Sequence, residues 1–201
     1  MKTIAVTPAS AAKRAAKLAE VAGWTLEPYY ERGVEDALLD IREPLLVIPP
    51  HARVPRSLDR IVVVHEGSPL VTPAMEMADE VALVSGAEIV VLHVISAKPP
   101  KAPGSLPSPR FADSLSYAWE EWRLEFLRRF CKMSKGLSVS LEVTSGDPVE
   151  AIPPALIRIH PSLVVATWKG KADPDRSRIL RMLVSDSRCP VLVLRERPTS
   201  S

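Results

Sequence analysis

The sequence predicts an α/β protein: a five-stranded parallel sheet with helices on both faces, preceded by a small N-terminal α/β fragment. Three observations predict it. Short apolar runs rich in β-branched residues recur around 61–64, 89–92 and 191–194, with no polar alternation. Such runs mark strands buried on both faces. Between them lie segments whose apolar residues step by three and four, as a helix that buries one stripe requires. The strict alternation of the two element types is what a layered parallel sheet needs.

The elements follow in order. Arg60 to Glu66 reads RIVVVHE, a buried strand broken by Gly67-Ser68-Pro69. Val71, Met75, Ala78 and Ala82 keep helical spacing from there to Ser85, and Gly86 ends that helix. Glu88 to Ile95, EIVVLHVI, is the second strand, which completes a strand-helix-strand unit. Lys98 to Pro109 carries five of the chain's 20 prolines and reads as an extended loop. A long helix is expected from about Phe111 to Lys135, stopped by Gly136. Its stripe is Leu115, Trp119, Trp122, Phe126, Phe130 and Met133, read as core and not as a base-stacking surface. A strand at 137–144, a helix at 149–159, a strand at 163–166, a helix at 177–187 and the strand PVLVL at 190–194 complete the sheet.

Composition narrows the functional classes. The chain has 201 residues, of which 46% are apolar, enough for a substantial core. No apolar run approaches the roughly 18 residues of a membrane span. The start has no continuous apolar block of secretory length, so a cytoplasmic protein is expected. A formal charge of +2 gives no global case for nucleic acid. Cys131 and Cys189 have apolar neighbourhoods and a spacing that suits neither zinc nor a disulfide framework, so they read as buried thiols.

The first 55 residues echo the rest. Arg42 to Ile48 reads REPLLVI and Arg188 to Leu194 reads RCPVLVL, matching in register at arginine, proline, leucine and valine. Each follows a helix-like segment. Lys2 to Val6 resembles the strand at 60–64, and the alanine-rich 9–22 resembles the helix after it. An internal repeat with a shortened first copy explains this. Residues 1–55 would then be a truncated copy with a strand near Trp24 to Tyr29 and an edge strand at 44–49. Residues 56–201 would be the main domain.

At this point several motifs resemble the universal stress protein family. They are the acid-Gly-Ser turn Glu66-Gly67-Ser68, the strand end Leu92-His93-Val94, and the turn Gly146-Asp147-Pro148 followed by Glu150 and Ile152. The terminal Cys189-Pro190-Val191-Leu192-Val193 completes the set. The match covers about residues 60 to 195. The resemblance implies a Rossmann-like sheet of the adenine nucleotide alpha hydrolase type. It also implies association through the last strand, either as a homodimer or as an internal pseudo-dimer in which Leu45, Leu46 and Val47 pair with Val191, Leu192 and Val193. The shortened repeat is similar to tandem members, in which a first copy runs straight into a second.

For a nucleotide, the resemblance implies a site at Glu66, Gly67, Val94, Ala166, Thr167, Gly170, Ser177, Arg178 and Ile179. The ATP-binding branch carries a glycine, two residues, a glycine, nine residues, then glycine and Ser or Thr. Glycines let backbone N–H groups approach phosphate closely, and the following helix offers its N-terminal N–H groups. Here the first glycine position is Thr167, Gly170 is kept, and the last pair falls near Ser177 and Arg178, with the loop about three residues short. Glu66 stands where the family has aspartate. Loss of tight ATP binding is therefore expected, and no cofactor with it. The alternative is an altered nucleotide or anion site, possessing at most weak ATPase activity, built on Gly170 with Lys169, Lys171 and Arg176. Arg178 and Arg181 add charge, while Asp173 and Asp175 partly balance it.

Other chemistry is thin. His65 and His93 lie near the carboxyl ends of neighbouring strands, with Glu66 a conceivable third metal ligand, but the histidines read as structural and no metal site is expected. No catalytic triad, carboxylate pair or nucleophile elbow occurs, so no enzyme is expected. Trp168 either stacks on an adenine or plugs an empty pocket. The segment Ala97 to Pro109 is either an ordinary crossover or the surface freest to meet a protein partner.

Overall fold

The computed structural model describes residues 2–29, 34, 37–38, 43–95, 103–109, 116–168 and 174–195. Over them the strands are β1 (Lys2–Thr7), β2 (Trp24–Pro28), β3 (Leu45–Val47), β4 (Arg60–His65), β5 (Glu88–Ile95), β6 (Val139–Ser145), β7 (Leu163–Trp168) and β8 (Val191–Arg195). The helices are α1 (Ala12–Ala22), α2 (Thr72–Ser85), α3 (Ser116–Phe130), α4 (Pro148–Ile159) and α5 (Pro174–Asp186). Among the described residues the strands form one eight-stranded sheet, in the order β2-β1-β3-β8-β7-β4-β5-β6. Strands β4 to β8 are the expected five, all parallel.

Period-two alternation sends the strand residues into two cores. Ile61, Val63, Ile89, Val91, Leu163, Val165 and Leu192 face α1, α2 and α3, meeting Leu18, Met75, Val81, Trp122 and Phe126. Val62, Val90, Val164, Ala166, Val191 and Val193 face α4 and α5, meeting Ile152, Leu156, Leu180 and Leu183. Ala37 and Leu38, which are helical and fully buried, join that second face.

The N-terminal segment does not pack as a separate fragment. It extends the sheet. Its β1, a 3-10 turn at Ala9–Ala11, α1, the left-handed cap Gly23 and β2 follow the same succession as β4, the turn at Pro69–Val71, α2, the left-handed cap Gly86 and β5. The junction between the two halves is the antiparallel pairing of β3 with β8. Leu45 faces Val193, Leu46 faces Leu192, and Val47 faces Val191. Aligning REPLLVI with RCPVLVL puts Leu45 on Val191, Leu46 on Leu192 and Val47 on Val193. Exchanging the two segments therefore swaps the two outer pairs and returns the Leu46–Leu192 pair to itself, so a local two-fold passes through that pair. The other side of β3 lies parallel to β1, tied by Ala5 N–H to Pro44 O (3.0 Å) and Ile48 N–H to Thr7 O (2.9 Å).

Two expected elements are shorter than their patterns. The edge strand expected at 44–49 is regular only at Leu45–Val47, because Pro44, Pro49 and Pro50 flank it and supply no N–H. Arg42 lies outside the described residues. The helix expected to reach Lys135 ends at Phe130, and its expected start at 111–115 lies outside the described residues. Beyond Phe130 the Ser134 N–H and hydroxyl both donate to the Asp79 carboxylate on α2, at 2.7 and 2.8 Å. That contact draws the chain off the helix axis before Gly136 is reached.

The two outer strands, β2 and β6, are blunted at their edges. Tyr29 N–H bonds Val6 O, so the backbone N–H groups of Thr25 and Glu27 point to β1, and the backbone of Trp24, Leu26 and Pro28 points to the outer edge. Pro28 thus removes a donor from the outer edge, where none is needed. On β6, the Leu141 carbonyl accepts from the Arg123 guanidinium at 2.8 Å.

The Leu46 side chain is fully buried at the junction. Leu46→Ala should lower unfolding free energy in urea by about 2–5 kcal/mol. Leu83→Ala, on the 55% exposed surface of α2, should stay within about 0.5 kcal/mol of wild type. Equal effects would show that β3 contributes little to the core.

Candidate functional site

Within β4 to β8 the strand order reverses between β4 and β7, since β4 continues through α2 to β5 on one side and β7 through α5 to β8 on the other. A crevice outside the carboxyl ends at such a point is where open α/β sheets bind ligands. Its β4 wall is His65-Glu66-Gly67-Ser68, and its β7 wall is Ala166-Thr167-Trp168.

The β4 turn is built on Gly67, whose φ of +83° favours glycine. A Cβ there would lie 3.2 Å from His93 Cε1. The Gly67 N–H donates to His65 Nδ1 at 2.9 Å. The fully buried Ser68 donates its hydroxyl to Glu66 Oε1. The His65 carbonyl accepts from His93 Nδ1 at 2.8 Å. A carbonyl can only accept, so His93 carries its proton on Nδ1, and Nε2 is left as an acceptor. Ser108 Oγ lies 3.2 Å from that Nε2 and donates to it.

Both imidazoles sit in an aromatic wall. His65 lies with ring centroids 5.0 Å from Phe126 and 5.0 Å from Phe130, and His93 packs on Trp122 and Phe126. Burial pushes His65 down to about 3, helped by His93. Burial also lowers His93, against the opposing pull of its hydrogen bond with His65 and of Glu66. Two neutral rings, each committed to backbone, hold the ends of β4 and β5 together. Among the described residues no group of three potential ligands could hold a metal ion.

On the other wall, Trp168 is fully buried in the α4–α5 face, so it fills that face and does not stand ready to stack on a ligand. Thr167 is half-buried and Ala166 buried. Lys169, Gly170 and Lys171 lie outside the described residues, as does the side chain of Arg176. Ser177 is buried and Ile179 half-buried within α5, three and five residues past its start. Arg178 is exposed and reaches 4.0 Å from Asp147 Oδ2. Asp147 caps α4 by accepting from Val149 N–H at 2.9 Å. Glu66, Gly67, Val94, Ala166 and Thr167 thus share the carboxyl ends of three neighbouring strands, whereas Ser177, Arg178 and Ile179 belong to the body of a helix.

Residues 97–102 of the proline-rich segment lie outside the described residues. Its described part, 103–109, lies on the β4 turn. Leu106 N–H donates to Gly67 O at 2.9 Å, and the Leu106 side chain packs on the core. Gly104 lies so close that a Cβ would come within 3.1 Å of Pro69 Cγ. Sequence reasoning missed Leu106 and Ser108. The available signal was that Leu106 is the single large apolar residue between Lys98 and Pro109. Of the two thiols expected to be buried, Cys189 is buried and Cys131 half-buried, and burial pushes Cys131 up to about 12 and Cys189 up to about 11.

The buried histidines set a pH response. An unfolded imidazole protonates near 6.5, while folded His65 resists protonation until about 3. The unfolded state therefore binds more protons below 6.5, and stability falls as pH falls. The slope is up to about 1.4 kcal/mol per pH unit for each histidine. Urea midpoints should fall between pH 7 and 5, above the carboxylate range, and His65→Leu should flatten that fall by about half. An unchanged slope would mean that His65 is not held neutral.

A model of the universal stress protein family matches residues 57–195. Among solved structures, a universal stress protein from Archaeoglobus fulgidus DSM 4304 is similar at 19% identity, covering 100% of this chain and 88% of that one, with a TM-score of 0.56. A member from Burkholderia pseudomallei is 25% identical, covering 68% of this chain and 96% of that one, with a TM-score of 0.45. A family protein from Arabidopsis thaliana with AMP bound is 18% identical, covering 70% and 93%, with a TM-score of 0.48. Comparison with curated proteins gives no match.

Proposed function

The chain belongs to the universal stress protein family, and from that premise we propose that it is a cytoplasmic regulatory binding protein, not an enzyme, that does not hold ATP through a phosphate loop. One observation carries the reading. Helix α5 starts at Pro174, so Ser177, which stands at the last glycine of the family pattern, lies inside the helix and not in the loop before it. In the family pattern that position would offer its N–H to phosphate. The N–H groups left over belong to the residues just before it, and Pro174 supplies none. Thr167 adds a side chain where close backbone approach calls for glycine, and Trp168 fills the neighbouring core.

The same reading covers association. With β3 on the edge of β8, the strand that would pair with a second copy is already paired. The proposal is a monomer that is an internal pseudo-dimer of a shortened and a complete copy. Among the described residues no helix is long and apolar enough to cross a membrane.

Titration calorimetry at modest salt tests the ligand claim. Wild type should give no saturable heat with about 1 mM ATP, an affinity weaker than about −4 kcal/mol. Micromolar binding abolished by Gly170→Val would overturn the proposal. Binding that weakens only with salt and with Lys169→Ala/Lys171→Ala would move the site to the basic cluster.

A further inference from the structure

The segment that joins β3 to β4 is stapled along its length. It carries Pro49, Pro50 and Pro55. Ile48 N–H bonds Thr7 O at 2.9 Å, and the Arg14 guanidinium of α1 donates to Ala52 O at 3.0 Å. Arg53 N–H donates to Arg188 O at 2.9 Å, and Asp59 N–H to Ser162 Oγ at 3.2 Å. Ala52 and Leu58 are buried in the core that faces α1, α2 and α3. These staples bring together Arg14 from α1, Arg53 and Arg56 from the joining segment, and Arg188 from the turn before β8. All four are exposed. Among the described residues, no acceptor or carboxylate meets the guanidinium of Arg53, Arg56 or Arg188. The carboxylates nearest to them in the chain are Asp59 and Asp186, and Asp59 accepts from the Ser57 hydroxyl. Like charges fixed side by side without internal counter-ions repel one another. Their display on a stapled segment calls for an anion from outside.

We propose that this patch, at the amino ends of β4 and β8, binds a linear chain of linked phosphates, of the inorganic polyphosphate class. Arginine forks pair with phosphate oxygens. The surroundings select among polyanions. Single-stranded nucleic acid is held by aromatic side chains that stack its bases, and no Phe, Tyr or Trp occurs in 49–59 or 185–190. A protein interface needs an apolar centre, and the exposed large apolar residues Leu83, Val84, Leu124 and Ile157 lie on α2, α3 and α4. What remains is backbone charge alone, and a chain of phosphates meets several arginines at once. A nucleoside triphosphate covers only part of such a row. The patch lies a strand's length from the crevice at the carboxyl ends, so this inference goes beyond the proposed function and does not depend on it.

Fluorescence anisotropy with end-labelled, long-chain inorganic polyphosphate tests it. Wild type should bind at low salt, and log affinity should fall against log salt with a slope of about −3, as about four phosphate contacts require. Arg53→Gln/Arg56→Gln/Arg188→Gln should weaken binding on the order of hundredfold and flatten the slope by about two. The corresponding triple lysine variant should keep the slope, because the charge stays, and lose part of the affinity, because the fork is gone. Lys132→Gln/Lys135→Gln removes exposed charge beyond α3 and should change neither. Unchanged urea midpoints check that each variant folds. Absence of polyphosphate binding by wild type overturns the proposal, and so does equal weakening by the Lys132/Lys135 variant. Tighter binding, at equal phosphate content, of oligothymidylate or of vesicles containing an anionic phospholipid overturns the assignment to polyphosphate.

Discussion

An open parallel sheet has to do something with its last strand, and here the antiparallel pairing of β3 with β8 does it. An unpaired row of N–H and C=O groups invites another chain. Three residues of the N-terminal segment, Leu45–Val47, close that row from within. Because β1 lies on the far side of β3, the same three residues carry the whole N-terminal half into the sheet. The location of the sheet's free edges follows. They move out to β2 and β6, where Pro28 and Arg123 respectively reduce what is left to pair.

The other constraint acts at the carboxyl ends of β4 and β5. Two histidines are held neutral by burial, and each bonds backbone. Together with Gly67 they fix a turn in which the Gly67 N–H and the Ser68 hydroxyl are both bonded within the turn. The α3 aromatics lie on one side of the buried histidines, and the 103–109 segment lies over the turn. On the opposite wall Trp168 takes core volume on the α4–α5 face.

Much of this was legible in the sequence, for identifiable reasons. Buried parallel strands write themselves as runs such as RIVVVH and EIVVLHVI, and the REPLLVI and RCPVLVL match foretold a strand pair about a two-fold. What was not legible depended on contacts between distant residues. The end of α3 is set by Asp79, 55 residues from Ser134. Nothing in the local pattern of Cys131 to Lys135 encodes it. The docking of 103–109 rests on one leucine and one serine in a proline-rich run, and such a run reads as a loop by composition. Trp168 was ambiguous because a strand-end aromatic serves core or ligand equally well until the opposing helices are in place. The prolines that flank β3 are visible in the sequence, and they limit the strand to three residues.

The central claim is that the chain closes its own β8 edge. Light scattering coupled to size-exclusion chromatography, at about 100 µM protein, tests it most directly, since a buried apolar strand edge left open would drive self-association at that concentration. The account predicts a single species at the monomer mass of 22.0 kDa, unchanged on dilution. A stable species of twice that mass, dissociated by Leu192→Pro without loss of the fold, would place the β8 edge between two molecules and contradict it.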